Sequence, residues 1–211
     1  MYQHTKQYIT AGTPAEEAKG ALVMLHGRGG TAANIVSLAR ELNTKDLAIY
    51  APQATNQSWY PYSFMAPESQ NQPALDSALE NIGELVKQIE ADGIPSEKIY
   101  FLGFSQGACL TLEYVGRNAK QYGGVVAFTG GLIGQELITS RYSGDFKNTP
   151  VLITTGDPDP HVPVSRVEES NVILTDLNAQ TTVKVFKGRP HTITQQEIEL
   201  ADSLIFSTIG N

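Results

Sequence analysis

The chain is poor in cysteine and in basic residues, and it has no long apolar run. Its 211 residues include one cysteine, Cys109, so no internal disulfide can form and we expect a cytoplasmic location. The N-terminus lacks a charged start followed by an apolar core, so we expect no secretion signal. No apolar stretch approaches the roughly 18 residues that cross a bilayer, which argues against stable membrane insertion.

The charge balance and the residue spacing exclude further classes of protein. Lysine and arginine total 15 against 22 aspartates and glutamates, for a formal net charge of −7. Nucleic acids and anionic membrane surfaces attract basic patches, so we expect neither as a partner. No group of histidine, cysteine and carboxylate residues has metal-ligand spacing, so we expect no metal and no cofactor. The sequence does not determine the oligomeric state, and a homodimer stays open.

What the sequence does contain is a regular alternation of strands and helices. Short apolar or β-branched runs occupy residues 21–25, 47–50, 99–102, 124–129, 150–155 and 182–186. Between the second and third runs, apolar residues from Leu75 to Ile89 recur at helical spacing. Continuous apolar strands that alternate with helices predict an α/β fold, in which helices cover both faces of a mostly parallel sheet. We expect residues 1–211 to form one such domain.

One pentapeptide, Gly-Phe-Ser-Gln-Gly at residues 103–107, lies between a predicted strand and a predicted helix. A G-x-S-x-G sequence in this context is typical of a nucleophile elbow, which predicts Ser105 as the nucleophile. We expect Ser105 to adopt a strained backbone conformation, and Gly103 and Gly107 to be required because side chains there would collide. Cys109 lies one helical turn farther on and is interpreted as a buried core residue.

A catalytic serine needs a histidine base, and in this fold the chain order is serine, acid, histidine. That order selects His191, which directly follows the last predicted strand and precedes a final helix predicted to begin near Thr192. His4 lies in a terminus that we expect to be frayed, and His26 precedes the serine. His161 is only two residues beyond Asp159, the candidate acid, which is too close for that carboxylate to orient it.

The acid is expected in the loop of residues 156–163, which follows the strand predicted at 150–155. Two aspartates compete there. The G-x-x-D-x-x-V-P pattern of this loop resembles the acid loop of many α/β-hydrolases, and it maps the acid onto Asp159. Asp157 is then expected to cap turns by accepting backbone N–H bonds.

Two backbone N–H groups are expected to form an oxyanion hole. One belongs to Gln106, the residue after the nucleophile. The other is expected from Arg28 in the sequence His-Gly-Arg-Gly-Gly at 26–30, whose glycines allow the loop to fold back over the serine. His26 is interpreted as a structural hydrogen-bonding residue.

These motifs together resemble the phospholipase/carboxylesterase family of small serine α/β-hydrolases, which includes the acyl-protein thioesterases. The matching pieces are Leu-His-Gly at 25–27, Ser-Trp-Tyr-Pro at 58–61, residues 103–108, residues 156–160, Val-Pro at 162–163, and His191. The resemblance implies Ser105, Asp159 and His191 as the triad, with the Arg28 and Gln106 amides as the oxyanion hole. It also implies an α/β-hydrolase fold.

The activity that this resemblance implies is hydrolysis of small to medium carboxylic esters through an acyl-enzyme, with a small-molecule ester as the partner. An acyl-thioesterase or lysophospholipase is the enzymatic alternative, since the same residues serve those reactions. A hydrolase fold retained as a small-molecule binder is the non-enzymatic alternative.

The walls of the site are expected to be loops, because residues 130–149 are too few to form a cap domain. The longest loop covers residues 53–73, and its aromatic residues, led by Trp59 and Tyr60, either bind substrate or fix the loop to the core.

Arg28 departs from the family pattern, in which an apolar residue follows His-Gly. Its side chain is expected at the rim of the site, where it either binds a substrate carboxylate or pairs with a surface carboxylate.

Overall fold

The computed structural model describes residues 2–209 and contains a seven-stranded sheet. The strands are β1 (Tyr8–Gly12), β2 (Gly20–Leu25), β3 (Leu47–Pro52), β4 (Ile99–Phe104), β5 (Gly124–Phe128), β6 (Pro150–Asp157) and β7 (Gln180–Lys187). Their order across the sheet is β1-β3-β2-β4-β5-β6-β7. Every neighbouring pair is parallel except β1 with β3, which confirms the predicted, mostly parallel α/β fold.

The helices cover both faces of this sheet. They are α1 (Ala32–Ser37), α2 (Glu68–Asn71), α3 (Ala74–Ala91), α4 (Gln106–Arg117), α5 (Val164–Asp176) and α6 (Gln195–Leu204). Successive strand residues point to opposite faces, so Val23 packs in a core with α3, α4 and α5, while Met24 packs in a second core with α1 and α6. No helix within residues 2–209 is both long and apolar enough to cross a bilayer.

All six predicted strands are present, but the sequence pattern missed β1. This strand lies antiparallel at the sheet edge, with Ile9 opposite Ala51. Tyr8 and Ile9 remain exposed, so β1 lacks the continuous apolar burial that marks the inner strands. Backbone pairing, which side-chain pattern reports poorly at an edge, holds this strand in place.

His4 lies before β1 and is anchored to the fold, so the expectation of a frayed terminus around His4 is wrong. His4 is buried, with Nε2 bonded to the Trp59 carbonyl at 2.8 Å and Nδ1 accepting the Thr55 N–H at 3.1 Å. The His4 N–H also donates to the Ser77 hydroxyl. The terminus is therefore fixed to the long loop after β3 and to α3.

The final helix, α6, begins at Gln195, slightly later than the predicted start near Thr192. The backbone N–H and the hydroxyl of Thr194 both donate to the Glu197 carboxylate, each at 2.9 Å. This capping box fixes where the helix starts.

The loops that follow β2, β4, β6 and β7 lie at the same end of the sheet, because the carboxyl ends of parallel strands meet there. Within the described chain, the connection from β5 to β6 contains one short 3-10 helix (Thr139–Arg141) as its regular structure, and no cap domain covers the carboxyl ends of the strands.

Candidate active site

Ser105 lies at a sharp turn between β4 and α4. Its backbone has φ 54° and ψ −118°, a region that residues with a side chain rarely adopt, and this agrees with the strained conformation predicted for an elbow. The Ser105 N–H donates to the Phe128 carbonyl at the end of β5, which holds the turn against the neighbouring strand. The turn places Ser105 immediately before the N-terminus of α4, where backbone N–H groups are free and favour negative charge.

The two glycines that flank the serine permit this turn. A Cβ at Gly103 would lie 2.3 Å from the Gly107 carbonyl oxygen, so a side chain there would collide with the turn, as predicted. A Cβ at Gly107 would instead meet the Leu25 carbonyl oxygen of β2 at 2.1 Å. Both glycines are therefore required, one for the turn itself and the other for the close approach of α4 to β2.

The side chains of Ser105, His191 and Asp159 form a continuous hydrogen-bonded chain. Ser105 Oγ lies 2.8 Å from His191 Nε2. His191 Nδ1 lies 2.9 Å from Asp159 Oδ2 and 3.2 Å from Asp159 Oδ1. The Asp159 carboxylate is shielded from solvent, whereas the His191 side chain is 20% exposed. This arrangement allows the imidazole to take a proton from the serine while the carboxylate holds the opposite nitrogen.

Asp159 also organises its own loop. Its Oδ1 accepts the backbone N–H groups of His161 and Val162, each at 2.9 Å. Burial opposes ionisation of this carboxylate, but the hydrogen bonds from His191 and from these two amides outweigh it and hold the pKa of Asp159 below its ordinary value. The turn-capping role predicted for Asp157 is therefore wrong: its exposed side chain accepts no hydrogen bond from residues 2–209, and Asp159 caps the turn.

The His191 ring contacts two further rings. The Phe104 ring lies with its centroid 5.4 Å away, and the exposed His161 ring lies edge-on at 4.9 Å. Sequence reasoning excluded His161 as a base and gave no signal that it would pack against His191.

The loop after β2 lies directly against the elbow. A Cβ at Gly27 would lie 3.2 Å from the Phe104 carbonyl oxygen and 3.4 Å from Ser105 Cβ, so the loop and the elbow are close together here. The Arg28 backbone N–H has no acceptor within residues 2–209, and the Gln106 N–H is the first of α4 and lacks an intrahelical partner. The two amides predicted for the oxyanion hole are thus both unused, and their residues line the same groove as Ser105.

His26 is a buried structural residue, as the sequence interpretation holds. The Ala54 N–H donates to its Nε2 at 3.1 Å, so Nε2 is unprotonated and Nδ1 donates to the Gly27 carbonyl at 2.8 Å. Burial lowers the pKa of His26 and favours this neutral form. His26 thereby fixes the start of the loop after β2.

The substrate contact predicted for Trp59 is wrong, because its side chain is completely buried. Trp59 Nε1 donates to the His26 carbonyl, and its backbone N–H donates to Gln106 Oε1, both at 2.9 Å. Gln106 Nε2 in turn donates to the Tyr60 carbonyl at 2.8 Å. The Gln106 side chain, which the sequence identified only through its backbone, thus ties the long loop to the nucleophile elbow.

An open groove of about 650 Å³ adjoins Ser105 and His191. Residues of the long loop, among them Tyr60, Tyr62 and Phe64, form one wall. Trp59 therefore fixes the loop to the core, and later residues of the loop line the groove. Tyr60 lines it although its side chain is only 1% exposed, and its contact with substrate stays a prediction.

Cys109 lies at the floor of this groove and is only 2% exposed, which confirms it as a core residue. Burial raises the pKa of its thiol to about 12, so the reactive thiolate is not formed near neutral pH. Among residues 2–209, no group of three or more histidine, cysteine, aspartate or glutamate side chains is placed to hold a metal ion.

The Arg28 side chain lies at the groove and donates to the loop opposite. Its Nη1 bonds the Ser58 hydroxyl at 3.0 Å and the Pro61 carbonyl at 2.8 Å, and its Nη2 bonds the Tyr62 carbonyl at 2.7 Å. The guanidinium carbon lies 6.0 Å from the centroid of the Tyr60 ring. No carboxylate of residues 2–209 pairs with Arg28, so the alternative of a surface ion pair is wrong.

Sequence reasoning missed Arg189, which holds the loop that carries His191. Its Nη1 donates to the carbonyls of Pro190 at 2.9 Å and Thr192 at 2.5 Å, the two residues that flank His191. Arg189 is 5% exposed, and its Nε lies 3.5 Å from the fully buried carboxylate of Glu197. The signal was a basic residue two positions before the histidine, but nothing in the pattern showed that it is buried.

The buried Arg189–Glu197 pair is anchored to the sheet on both sides. Arg189 Nη2 donates to the Thr129 hydroxyl after β5 at 2.7 Å, and the Thr154 hydroxyl of β6 donates to Glu197 Oε1 at 2.5 Å. The His191 loop is therefore connected to two central strands and to the start of α6.

Comparison with known proteins identifies a family for this architecture. Residues 7–209 match the model of a family described as Phospholipase/Carboxylesterase. The solved structure of a phospholipase/carboxylesterase from Dyadobacter fermentans is 66% identical and superposes with a TM-score of 0.96, over 98% of this chain and 99% of that one.

Curated relatives are more distant. A probable carboxylesterase of Oryza sativa subsp. japonica is 32% identical over 156 residues, which are 72% of this chain and 58% of the rice protein. Acyl-protein thioesterase 1 of Saccharomyces cerevisiae is 27% identical over 217 residues, covering 93% of this chain and 96% of the yeast protein. The chain thus spans little more than half of the rice protein but almost the whole of the yeast protein.

Proposed function

The chain belongs to the phospholipase/carboxylesterase family, and we propose that it is a serine carboxylesterase with Ser105, Asp159 and His191 as its catalytic triad. The observation that carries this proposal is the continuous chain of hydrogen bonds from Ser105 Oγ through the His191 ring to Asp159, beside two free backbone amides. A carboxylesterase needs those groups and no cofactor.

The proposed reaction proceeds in two halves. His191 Nε2 takes the proton of Ser105 Oγ as the oxygen attacks the ester carbonyl, and the N–H groups of Arg28 and Gln106 hold the resulting oxyanion. The tetrahedral intermediate collapses, His191 gives its proton to the leaving alcohol, and an acyl-enzyme remains. Water then attacks the acyl-enzyme with His191 again as base, which releases the acid and restores Ser105. Asp159 keeps Nδ1 protonated and stabilises the imidazolium in both halves.

Small to medium esters are the proposed substrates, because the groove is open and its volume lies within the range of small-molecule sites. Thioesters are the second candidate, favoured by the similarity to the yeast acyl-protein thioesterase. The same nucleophile and oxyanion hole serve both bonds, so a panel of matched oxygen and sulfur esters distinguishes the two.

The proposal extends to the setting of the enzyme. We propose that it acts in the cytoplasm on small molecules and has no nucleic-acid partner. The single, buried cysteine supports a reducing compartment, and the net charge of −7 disfavours binding to polyanions.

The test is covalent labelling together with turnover. A fluorophosphonate is expected to label the wild-type chain once, at Ser105, and Ser105→Ala is expected to lower kcat on p-nitrophenyl acetate by about 10⁴-fold or more. Cys109→Ala is the control, and it keeps the label because the Cys109 thiol does not ionise near neutral pH. Labelling that persists in Ser105→Ala, or is lost in Cys109→Ala, would contradict the assignment.

A further inference from the structure

The groove beside Ser105 carries positive charge and no opposing negative charge. Of the described residues that line it, Arg28 is the permanently charged one, and no aspartate or glutamate is among them. The whole chain carries 22 acidic residues against 15 basic ones. Although the chain as a whole is acidic, no carboxylate in this groove neutralises Arg28. The positive charge of Arg28 is therefore available to an anionic ligand.

The hydrogen bonds of Arg28 leave two N–H donors of its guanidinium free. Arginine has five N–H donors. Both donors of Nη1 and one of Nη2 are used by the long loop, at Ser58, Pro61 and Tyr62. Within residues 2–209, the Nε–H and the second Nη2–H have no acceptor. One N–H on Nε and one on Nη2 are therefore available to donate to the oxygens of a carboxylate.

The same three bonds hold the guanidinium in place before a ligand arrives. An exposed arginine usually loses side-chain entropy when it binds an anion, which makes most surface pairs weak. Arg28 is already fixed by three acceptors, and the Ser58 hydroxyl that it contacts also accepts a bond from Gln106 Nε2 at 3.3 Å. Because Gln106 follows the nucleophile directly, the guanidinium is separated from the elbow by a single shared hydroxyl.

We propose that the Arg28 side chain binds a carboxylate of the substrate, so that the preferred substrates are small esters bearing an acid group. This inference rests on the proposed esterase function and names its substrate class. The Arg28 backbone N–H and side chain then act together: the amide holds the oxyanion, and the guanidinium fixes the acid group of the same molecule.

The experiment compares matched esters that differ only in charge. One pair is 4-acetoxybenzoate and its neutral isostere 4-acetoxybenzamide, with the acid group in the alcohol half. The other pair is the mono-(4-nitrophenyl) ester of adipic acid and the corresponding terminal amide, with the acid group in the acyl half. For at least one pair, the wild-type enzyme is expected to show a kcat/KM ratio of acid to amide of about tenfold or more, mainly through KM.

Variants then test whether Arg28 is the cause. Arg28→Met is expected to bring the ratio to about one or below, whatever happens to the neutral ester, and Arg28→Lys to retain part of the preference because it keeps charge without the flat edge. Arg40→Met is the matched control, since it removes an exposed arginine that does not line the groove, so the preference should remain. Added salt should reduce the wild-type ratio.

The outcomes separate this inference from the esterase proposal. If the wild type hydrolyses the neutral esters through Ser105 but shows no preference for either acid, or if Arg28→Met keeps the preference, the carboxylate site is wrong and the esterase remains. If no ester is hydrolysed, both fail. Binding of 4-acetoxybenzoate to Ser105→Ala, measured by calorimetry and lost when Arg28→Met is added, gives an independent reading of the site.

Discussion

At the scale of single residues, Asp159 accepts hydrogen bonds from three residues although its carboxylate is shielded from solvent. Two come from backbone amides of its own loop, and one comes from His191. The amides fix the orientation of the carboxylate, and its lowered pKa keeps it ionised at neutral pH. Asp157, two residues earlier, is exposed and has no such partners among residues 2–209.

We therefore expect Asp159→Asn to lower kcat by about 10³–10⁴-fold, because an amide in this position favours the wrong imidazole tautomer. The asparagine oxygen still accepts the two backbone N–H bonds, so the loop is expected to keep its shape. Steady-state kinetics on p-nitrophenyl acetate and circular dichroism measure the two effects. Asp157→Asn is the matched control and should change kcat by about twofold at most. The reverse ranking on folded protein would assign the acid to Asp157.

Residue type alone did not reveal burial. Trp59 and His4 both occur in segments that read as loop or terminus, yet both are buried, because partners far along the chain enclose them. Ser105 and His191 were recognisable from chain order and from strand ends, whereas Asp159 was chosen over Asp157 because its loop resembles the acid loop of many α/β-hydrolases. Contacts such as Arg28 with Tyr62 depend on how two loops fold back on each other, and no local pattern encodes that.

At the scale of elements, the His191 loop is held at both of its ends by one arginine. The bonds from Arg189 to the carbonyls of Pro190 and Thr192 straddle the histidine. Glu197, at the start of α6, lies beside the same guanidinium and is itself fixed by Thr154 and Thr194. The position of the imidazole relative to Ser105 thus depends on a buried ion pair that does not line the groove.

Arg189→Met is expected to lower kcat by about ten- to a hundredfold with little change in KM, because a misplaced base is costly even when binding is intact. A base held away from Ser105 slows the chemical step and not binding, so kcat is expected to fall while KM stays within about twofold. Active-site titration with a fluorophosphonate corrects for inactive protein. Arg40→Met, at an exposed arginine, is the control.

Two results would show that Arg189 has only a structural role: a loss of activity that vanishes after correction for titrated sites, or a fall in kcat/KM that comes from KM alone. If Arg189→Met does not fold, Glu197→Gln tests the same clamp, since it removes the charge that faces Arg189 and keeps the shape of the side chain.

The strands were predictable from the sequence where they are buried or rich in β-branched residues. The five inner strands are apolar runs and were found, and the edge strand β7 was found from its β-branched residues although it is largely exposed. The other edge strand, β1, also has exposed side chains and was missed. The start of α6 shifted because the Thr194–Glu197 capping box decides it, and the helical pattern alone does not.

At the scale of the whole molecule, two buried histidines link the segment around His4 to the end of the sheet that carries Ser105. His4 Nε2 is hydrogen-bonded to the Trp59 carbonyl, and Trp59 Nε1 donates to the His26 carbonyl at the start of the loop after β2. Each imidazole accepts a backbone N–H on one nitrogen, so each must be neutral when folded. Burial accordingly lowers the pKa of both histidines.

These lowered pKa values predict that the protein loses stability as the pH falls below about 6.5, the ordinary pKa of histidine. Below that pH the unfolded chain binds protons that the folded chain excludes, so the free energy of unfolding should decrease by at most about 1.4 kcal/mol per pH unit for each histidine. Above it, both states are neutral and the contribution is constant. Urea unfolding between pH 8 and pH 5 measures this slope, and His4→Gln should make it shallower by removing one titrating group.

Gln3→His is the matched control, because it adds an exposed histidine beside His4 that titrates alike in both states and should leave the slope unchanged. A free energy of unfolding that stays flat down to pH 5, or a slope that His4→Gln does not alter, would show that the buried histidines do not couple folding to pH.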